Sequence, residues 1–247
     1  MKRNLAILLS NLALVACSMS ADAQGSGDRR SEAGPPVSRS FELAGFDAIG
    51  LAGSQDVEVR VGGDFAIRAE GDAEMIERLD IRVEDGTLKI GHKRGNYSIG
   101  WSRDRPKTRI FVSLPAIRAA SLAGSGDLRI DRVQGDRFEA SLAGSGDIEI
   151  GQIQVAALAA KVAGSGNIKA AGSAQSAEIS VAGSGDVDIA AVQSRTASAS
   201  VVGSGDARIQ ASETANVSIA GSGDVWVTGT ARCTVSKRGS GTVHCNA

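Results

Sequence analysis

The chain has 247 residues, of which 31 are glycine and only eight are aromatic (five Phe, two Trp and one Tyr). Its 27 Lys and Arg residues nearly balance 28 Asp and Glu residues, which leaves a net charge of −1. This balance argues against general nucleic-acid binding, which relies on a strongly basic surface.

The first 17 residues are typical of a signal peptide, with an apolar stretch from Leu5 to Ala16 that is too short to span a membrane. Leu14-Val-Ala-Cys17 has the form of a lipobox, which predicts lipidation of Cys17. By resemblance to bacterial sorting rules, Ser18 then implies retention in the outer membrane. The alternative is cleavage after Ala21-Asp-Ala23, which would release a soluble protein.

Residues 18–40 are rich in Ser, Gly, Asp and Arg, contain Pro35-Pro36 and lack apolar periodicity. This composition predicts a flexible tether. We expect residues 41–247 to form a single elongated domain, and no later segment is apolar enough to cross a bilayer.

The front of this domain, residues 41–117, has strand-like runs without an obvious repeat. Gly53-Ser-Gln-Asp56 resembles a degraded copy of a turn that recurs later, so the repeat can begin there. Residues Glu74–Leu79 fit one helical turn. The predicted strands are Phe46–Leu51, Asp56–Val61, Phe65–Ala69, Ile81–Val83, Thr87–Ile90 and Arg109–Leu114.

An insertion at residues 92–107 interrupts these strands and concentrates cationic and aromatic side chains. Such groups bind anionic glycans, lipopolysaccharide phosphates or acidic polymers by ion pairing and stacking. The alternative is a solvated loop in which the tryptophan packs on the sheet. The candidate ligand-binding residues are Lys93, Arg94, Tyr97, Trp101, Arg103, Arg105 and Lys107.

Seven glycine turns then follow at steps of 20, 20, 19, 20, 18 and 18 residues. Apolar residues alternate with small or polar ones on both sides of each turn, which predicts strands with one buried face. An antiparallel meander would fit this spacing, but it has no reason to repeat one turn. Stacked coils do, because equivalent residues lie about 4.8 Å apart. We therefore predict an all-β parallel solenoid with 18–20 residues per coil, regular over residues 118–247 and irregular before them.

The turns themselves are predicted to be structural. Glycine permits a positive φ and a close approach between coils, and the following Asp is expected to accept N–H bonds within its own turn. The alternative is a calcium-binding ladder of carboxylates, which Asn167 and Thr242 at the same position disfavour. We expect no metal or other cofactor. Representative turn residues are Gly124, Gly126 and Asp127, then Gly144, Gly146 and Asp147, and Gly183, Gly185 and Asp186.

Two cysteines flank the last turn symmetrically, since Cys233 precedes Gly239 by six residues and Cys245 follows it by six. Both fall on predicted inward positions of the final coil, and an exported protein would oxidise them. We predict a disulfide that closes this coil; the alternative is two separately buried thiols.

Three features together resemble the auto-transporter adhesin head GIN domain family: the lipoprotein-like leader, the repeated Ala-Gly-Ser-Gly-Asp and the ending from Cys233 to Cys245. Leu114-Pro-Ala-Ile117 adds to the resemblance, which covers about residues 40–247. It implies a right-handed β-helix in a bacterial envelope protein and brings no catalytic residues.

We therefore expect a non-enzymatic, exported protein, held at the outer membrane or free in the periplasm or at the cell surface. Its expected partners are envelope glycans, lipopolysaccharide or another envelope protein, with membrane attachment only through a lipid anchor. The alternatives are a polysaccharide-acting enzyme on a β-helix and a structural assembly module. The outward residues five after each turn glycine have mixed charges, as a solvated surface does: Arg129, Glu149, Lys169, Asp188, Arg208, Trp226 and His244.

Overall fold

A computed structural model describes residues 37–93 and 108–245, and these form seventeen strands and one short helix, α1 (Ala73–Glu77). The first eight strands are β1 (Val37–Phe41), β2 (Ala48–Gly53), β3 (Asp56–Val61), β4 (Ala66–Gly71), β5 (Leu79–Glu84), β6 (Thr87–His92), β7 (Arg109–Leu114) and β8 (Ala119–Gly124). The others are β9 (Asp127–Gly144), β10 (Asp147–Gly164), β11 (Asn167–Gly183), β12 (Val187–Gly203), β13 (Ala207–Gln210), β14 (Thr214–Gly221), β15 (Val225–Thr228), β16 (Arg232–Gly239) and β17 (Val243–Cys245).

The regular part is a parallel β-solenoid of about six turns, as the repeat predicted. Strands β9 to β12 each run from one glycine turn to the next and pair in parallel with the coils on either side. We call the strand segments that lead into the turns the pre-turn sheet, and those that leave the turns the post-turn sheet. The parallel pairing excludes the antiparallel meander.

Alternating apolar residues of both sheets form the core, because every second side chain of a strand points inward. One column of the pre-turn sheet shows how regular this stacking is, since each residue pairs in register with the next. Its members are all buried except the last: Leu51, Leu122, Leu142, Val162, Val181, Val201, Ile219 and Lys237.

The order of coils at the front end differs from the order of the sequence. The coil of β2 and β3 lies in the middle, because β2 pairs with both β6 and β8, and β3 pairs with both β7 and β9. The turn at Gly53 stacks in register with Gly124, as its resemblance to the later turns predicted. The coil of β6 and β7 is therefore added outside β2 and β3, although it comes later in the chain.

Antiparallel strands cover this front end. Strand β4 pairs with β7, β1 pairs with β4, and β5 pairs with β6. Helix α1 connects β4 to β5, and its N-cap Asp72 accepts hydrogen bonds from the N–H groups of Glu74 (3.0 Å) and Met75 (3.3 Å). The helix ends two residues before the predicted Leu79, because Leu79 is buried as the first residue of β5.

The predicted boundary between tether and domain shifts in the structure. Strand β1 begins at Val37, inside the segment predicted as a tether, and its five residues pair with residues 67–71 of β4. The predicted signal peptide, Cys17 and most of the tether lie outside the described residues. Within residues 37–93 and 108–245, no helix is long and apolar enough to cross a membrane.

Candidate functional site: the turn corner, the insertion and the outer face

The two glycines of each turn are required for different reasons. At the first position, Gly144 has a φ of +136°, and a Cβ there would lie 2.2 Å from the backbone oxygen of Gly124. At the second position, the backbone φ is not positive, but a Cβ on Gly146 would lie 2.0 Å from the oxygen of Gly126. The prediction of positive φ is thus right for the first glycine and wrong for the second, where close stacking alone excludes a side chain.

This close approach lets the turns hydrogen-bond directly to each other. The N–H groups of Ser145 and Gly146 both donate to the carbonyl oxygen of Gly124, at 2.9 and 3.1 Å. Corresponding paired bonds recur up to the turn at Gly221. The corner is therefore a continuous backbone ladder without space for a ligand between coils.

The aspartates add a second ladder, but with a different partner from the predicted one. Asp186 Oδ1 accepts the backbone N–H of Asp206 at 2.8 Å, and Asp206 Oδ1 accepts that of Asp224 at 2.9 Å. The bonds run between coils rather than within one turn. Asn167 fits because its Oδ1 accepts the N–H of Asp186 at 3.2 Å in the same way.

These contacts leave the carboxylates engaged with the protein backbone. In the part of the chain that the structure describes, no three His, Cys, Asp or Glu residues are grouped so that they could hold a metal ion. The hydrogen bonds between successive turns thus fix the register of the coils.

The predicted disulfide between Cys233 and Cys245 is present and joins β16 to β17. Cys233 stacks on the buried Ala215 and Cys245 on the buried Val227, and both cysteines are partly buried. The bond therefore links the pre-turn and post-turn sheets at the last coil, beyond which no further coil covers the core in the described residues.

The cationic insertion lies almost entirely outside the described residues, which leave out Arg94, Tyr97, Trp101, Arg103, Arg105 and Lys107. Its first member, Lys93, is described, and its Nζ donates to the carbonyl oxygen of Glu77 at 2.8 Å. The backbone N–H of Lys93 donates to the carbonyl oxygen of Arg78 at 2.9 Å. Lys93 thus ties the end of β6 to the end of α1.

The position of the insertion in the stack is unusual. It joins β6, which ends at His92, to β7, which begins at Arg109. The neighbouring strands β2 and β3 are joined at this corner by the two residues Ser54 and Gln55. The insertion therefore takes the place of a tight turn in the outermost coil of the corner.

The turn between β2 and β3 has a glutamine, Gln55, where the later turns have a glycine. Gln55 occupies the position of a second turn glycine, and its side chain is buried, with 3% exposed. Its amide donates to the ring of His92, with Nε2 2.9 Å from the nearer ring nitrogen. The Gln55 side chain therefore joins this corner to the end of β6.

The outward residues five after each turn glycine form one row across the post-turn sheet, as the repeat predicted, and the row continues onto the front strands. The charges alternate along it, with Arg129 Nε 3.5 Å from Glu149 Oε2. At the far end, the Arg208 guanidinium lies 4.6 Å from the Trp226 ring centre, and Trp226 stacks on His244 at 5.7 Å. In register, the row reads Ser40, Arg68, Phe111, Glu58, Arg129, Glu149, Lys169, Asp188, Arg208, Trp226 and His244.

On the pre-turn sheet, one ion pair perturbs a titrating group. Lys161 Nζ donates to Glu139 Oε1 at 2.7 Å. This hydrogen bond holds the pKa of Glu139 below its ordinary value, because it stabilises the ionised carboxylate.

The fold is shared with solved structures of other bacterial proteins. A putative adhesin from Bacteroides fragilis superposes with a TM-score of 0.77 at 22% identity, over 86% of this chain and 97% of its own. A putative lipid binding protein from Parabacteroides distasonis superposes with a TM-score of 0.70 at 25% identity, over 87% and 98%. A putative adhesin from Parabacteroides merdae gives 0.70 at 18% identity, over 87% and 97%.

No protein of curated function matches the chain. The sequence family described as "Putative auto-transporter adhesin, head GIN domain" matches residues 45–231, which span nearly all of the solenoid. By this match the chain belongs to the auto-transporter adhesin head GIN domain family.

Proposed function

We propose that this chain is an exported, non-enzymatic envelope protein that binds anionic surface material through the cationic insertion. The ligand class is an anionic glycan or lipopolysaccharide; another envelope protein with an acidic surface is the alternative partner. The observation that carries the proposal is the position of the insertion, which replaces a two-residue turn in the outermost coil.

The turn corner offers few other places for recognition. From Gly124 onward, the coils approach so closely that a Cβ would meet backbone atoms. Loops on rigid scaffolds often carry binding residues. Family membership supports binding of surface material, and the putative lipid binding protein among the similar structures is compatible with an amphiphilic envelope ligand.

The outer-face row favours a binding protein over an enzyme. Its charges alternate and its end residues stack on one another, so these side chains contact each other across coils. An enzyme on this scaffold would need acids and bases converging in a groove. The insertion instead supplies cations and aromatic rings, which suit binding.

Binding to lipopolysaccharide vesicles at low and high salt tests the proposal. We expect the variant with Arg94, Arg103, Arg105 and Lys107 changed to Ser to lose salt-sensitive binding by about tenfold or more, since several ion pairs disappear. Lys93 is retained because it anchors β6 to α1.

The matched control removes four exposed cations elsewhere and changes the net charge equally. Binding in this control variant should remain close to that of the parent. Equal loss in both variants, or no loss in either, would show that the insertion is not the contact. The control positions are Arg132, Arg195, Arg232 and Arg238.

Export and anchoring form a separate part of the proposal, placing the protein in the outer membrane by a lipid on Cys17. We expect Cys17→Ala to release the protein from the membrane fraction, because one acyl-modified residue is the only proposed anchor. Fractionation of cells that express both forms checks this. Membrane association that persists in the variant would point to another anchor.

A further inference from the structure

The chain concentrates its phenylalanines at one corner of the front end. Phe41, Phe65 and Phe111 line a groove of about 630 Å³, and the Phe46 ring packs at a tilt of 54° against Phe65, with ring centres 4.9 Å apart. Phe138, the fifth, is fully buried among the regular coils. The three lining rings are only half-buried. We call this concave surface the phenylalanine groove.

Four strands supply the groove with two rows of side chains on their outer faces. One row is the front end of the outer-face row, in which Phe111 lies between Glu58 and Arg68. The next row places Ser113 between Arg60 and Ala66. The side chains of Ser113 and Ala66 are small and lie between larger neighbours, and this difference in size creates a depression in the surface.

The polar side chains of the groove differ in how far they are already engaged. Arg68 stacks over Phe111 at 4.9 Å and pairs with Glu70. Within the described residues, the side chains of Glu58, Arg60 and Ser113 make no hydrogen bond or ion pair, although all three line the groove. A carboxylate, a guanidinium and a hydroxyl are thus available beside half-buried aromatic rings.

This combination narrows the ligand class. Glu58 would repel an anion and Arg60 would repel a cation, so neither kind of ligand suits the whole groove. A purely apolar ligand would leave both charged groups desolvated and unpaired, which is costly. A sugar ring matches the set, because its hydroxyls donate to carboxylates and accept from guanidinium groups, while its C–H face packs on aromatic rings.

We propose that the phenylalanine groove binds a neutral sugar unit of a glycan chain. Glu58 accepts from the sugar hydroxyls, Arg60 donates to them, and Phe65 and Phe111 hold the apolar face of the ring. The volume lies within the range of small-ligand sites, about 300–1,000 Å³. We treat this site as separate from the cationic insertion, because none of its described lining residues belongs to that segment.

The five phenylalanines provide the readout. The full chain is labelled with 4-fluorophenylalanine, its ¹⁹F resonances are assigned with Phe→Leu variants, and it is titrated with neutral oligosaccharides of glucose, galactose, mannose and N-acetylglucosamine. We expect at least one of these probes to shift the resonances of Phe65 and Phe111. The resonance of Phe138 should stay unchanged and also reports that the protein remains folded.

Variants assign the site. The double variant Glu58→Ala and Arg60→Ala should raise the dissociation constant of the sugar by about tenfold or more, because hydrogen bonds to two charged groups are lost. The matched control, Arg129→Ala with Glu149→Ala, removes the same residue types from neighbouring coils of the same sheet and should bind as the parent does. Ala66→Gln, which fills the exposed depression, is a second test if the first variant is unstable.

Three results would overturn the proposal: no shift with any neutral probe, a shift that is unchanged in the groove variants, or a shift produced only by oligogalacturonate, an anionic probe. The variant that lacks the four insertion cations should still bind the neutral probe. This separates a failure of the groove from a failure of the proposed function, because each site has its own variant and probe.

Discussion

At the scale of single residues, the second glycine of each turn carries the closest contact between coils. A Cβ on Gly185 would lie 2.1 Å from the backbone oxygen of Gly166, so the two coils would have to separate. We expect Gly185→Val to lower the free energy of unfolding by several kcal/mol. Chemical denaturation measures this change.

Gly135 shows the cost of replacing a glycine of positive φ where no other coil approaches the Cβ position. Its φ is +151°, and a Cβ there would meet no atom within 4 Å. Gly135→Ala should therefore cost only about 1 kcal/mol. If the substitution at Gly185 cost no more than this, the close-stacking explanation would be wrong.

The aspartate ladder leads to a second prediction at this scale. Asp206→Ala should destabilise the protein by about 1–2 kcal/mol, because the partly buried N–H of Asp224 loses its acceptor. Asp206→Asn should cost much less, since Asn167 already serves as an acceptor in another coil. Hydrogen exchange at the Asp224 amide is the direct measurement, and equal protection in both variants would contradict the ladder.

The Glu139–Lys161 pair predicts a small dependence of stability on pH. Because the folded pKa of Glu139 lies below its ordinary value of 4.5, the pair contributes stability above that value and loses it as the pH falls through the folded pKa. Lys161→Met should return the pKa of Glu139 toward 4.5, which an NMR titration of the carboxyl group would follow. An unchanged pKa would mean that Lys161 is not its cause.

At the scale of the elements, the disulfide closes the last coil of the solenoid. Strand β17 has only three residues, and β16 pairs with one neighbour in the described structure. Cys245→Ser should lower stability by about 2–4 kcal/mol, since it opens a short loop in the unfolded chain. Hydrogen exchange should show β16 and β17 losing protection first, and uniform loss across all coils would argue against a local role.

The regular strands could be predicted because β9 to β12 repeat one pattern in register, and stacking demands that pattern. The acceptor role of Asp186 was predicted, but its partner was not, because residues 20 positions apart are neighbours only once the coils stack. The phenylalanine groove could not be predicted either. Phe111, Arg68 and Glu58 come from three front strands whose antiparallel and out-of-order pairing leaves no repeat in the sequence.

At the scale of the whole molecule, the two ends of the stack are closed by different means. The front end has antiparallel strands and α1, whereas the last coil has the disulfide and one charged residue at a core position. That residue is Lys237, which follows Ile219 in an otherwise apolar column. A charge at such a position prevents another sheet edge from adding to the stack.

Lys237→Ile should therefore promote end-to-end association, because it extends the apolar column to the open edge. Sedimentation velocity should show an apparent mass that rises with concentration more steeply than in the parent protein. Ser236→Ile is the matched control, since it adds the same side chain on the same strand but on the outer face. Association to the same extent in both variants would indicate general hydrophobicity rather than a blocked edge.

The out-of-order front coil has a consequence for the kinetics of folding. Strands β2 and β3 find their partners only in segments that come later in the chain, and Gly53 pairs with Gly124. A nascent chain that emerges from its N-terminus must therefore hold two apolar strands unpaired until residues far downstream appear, and closing such long loops slows folding. The later coils need contacts only about 20 residues apart, so we expect the solenoid to nucleate there and its front end to close last.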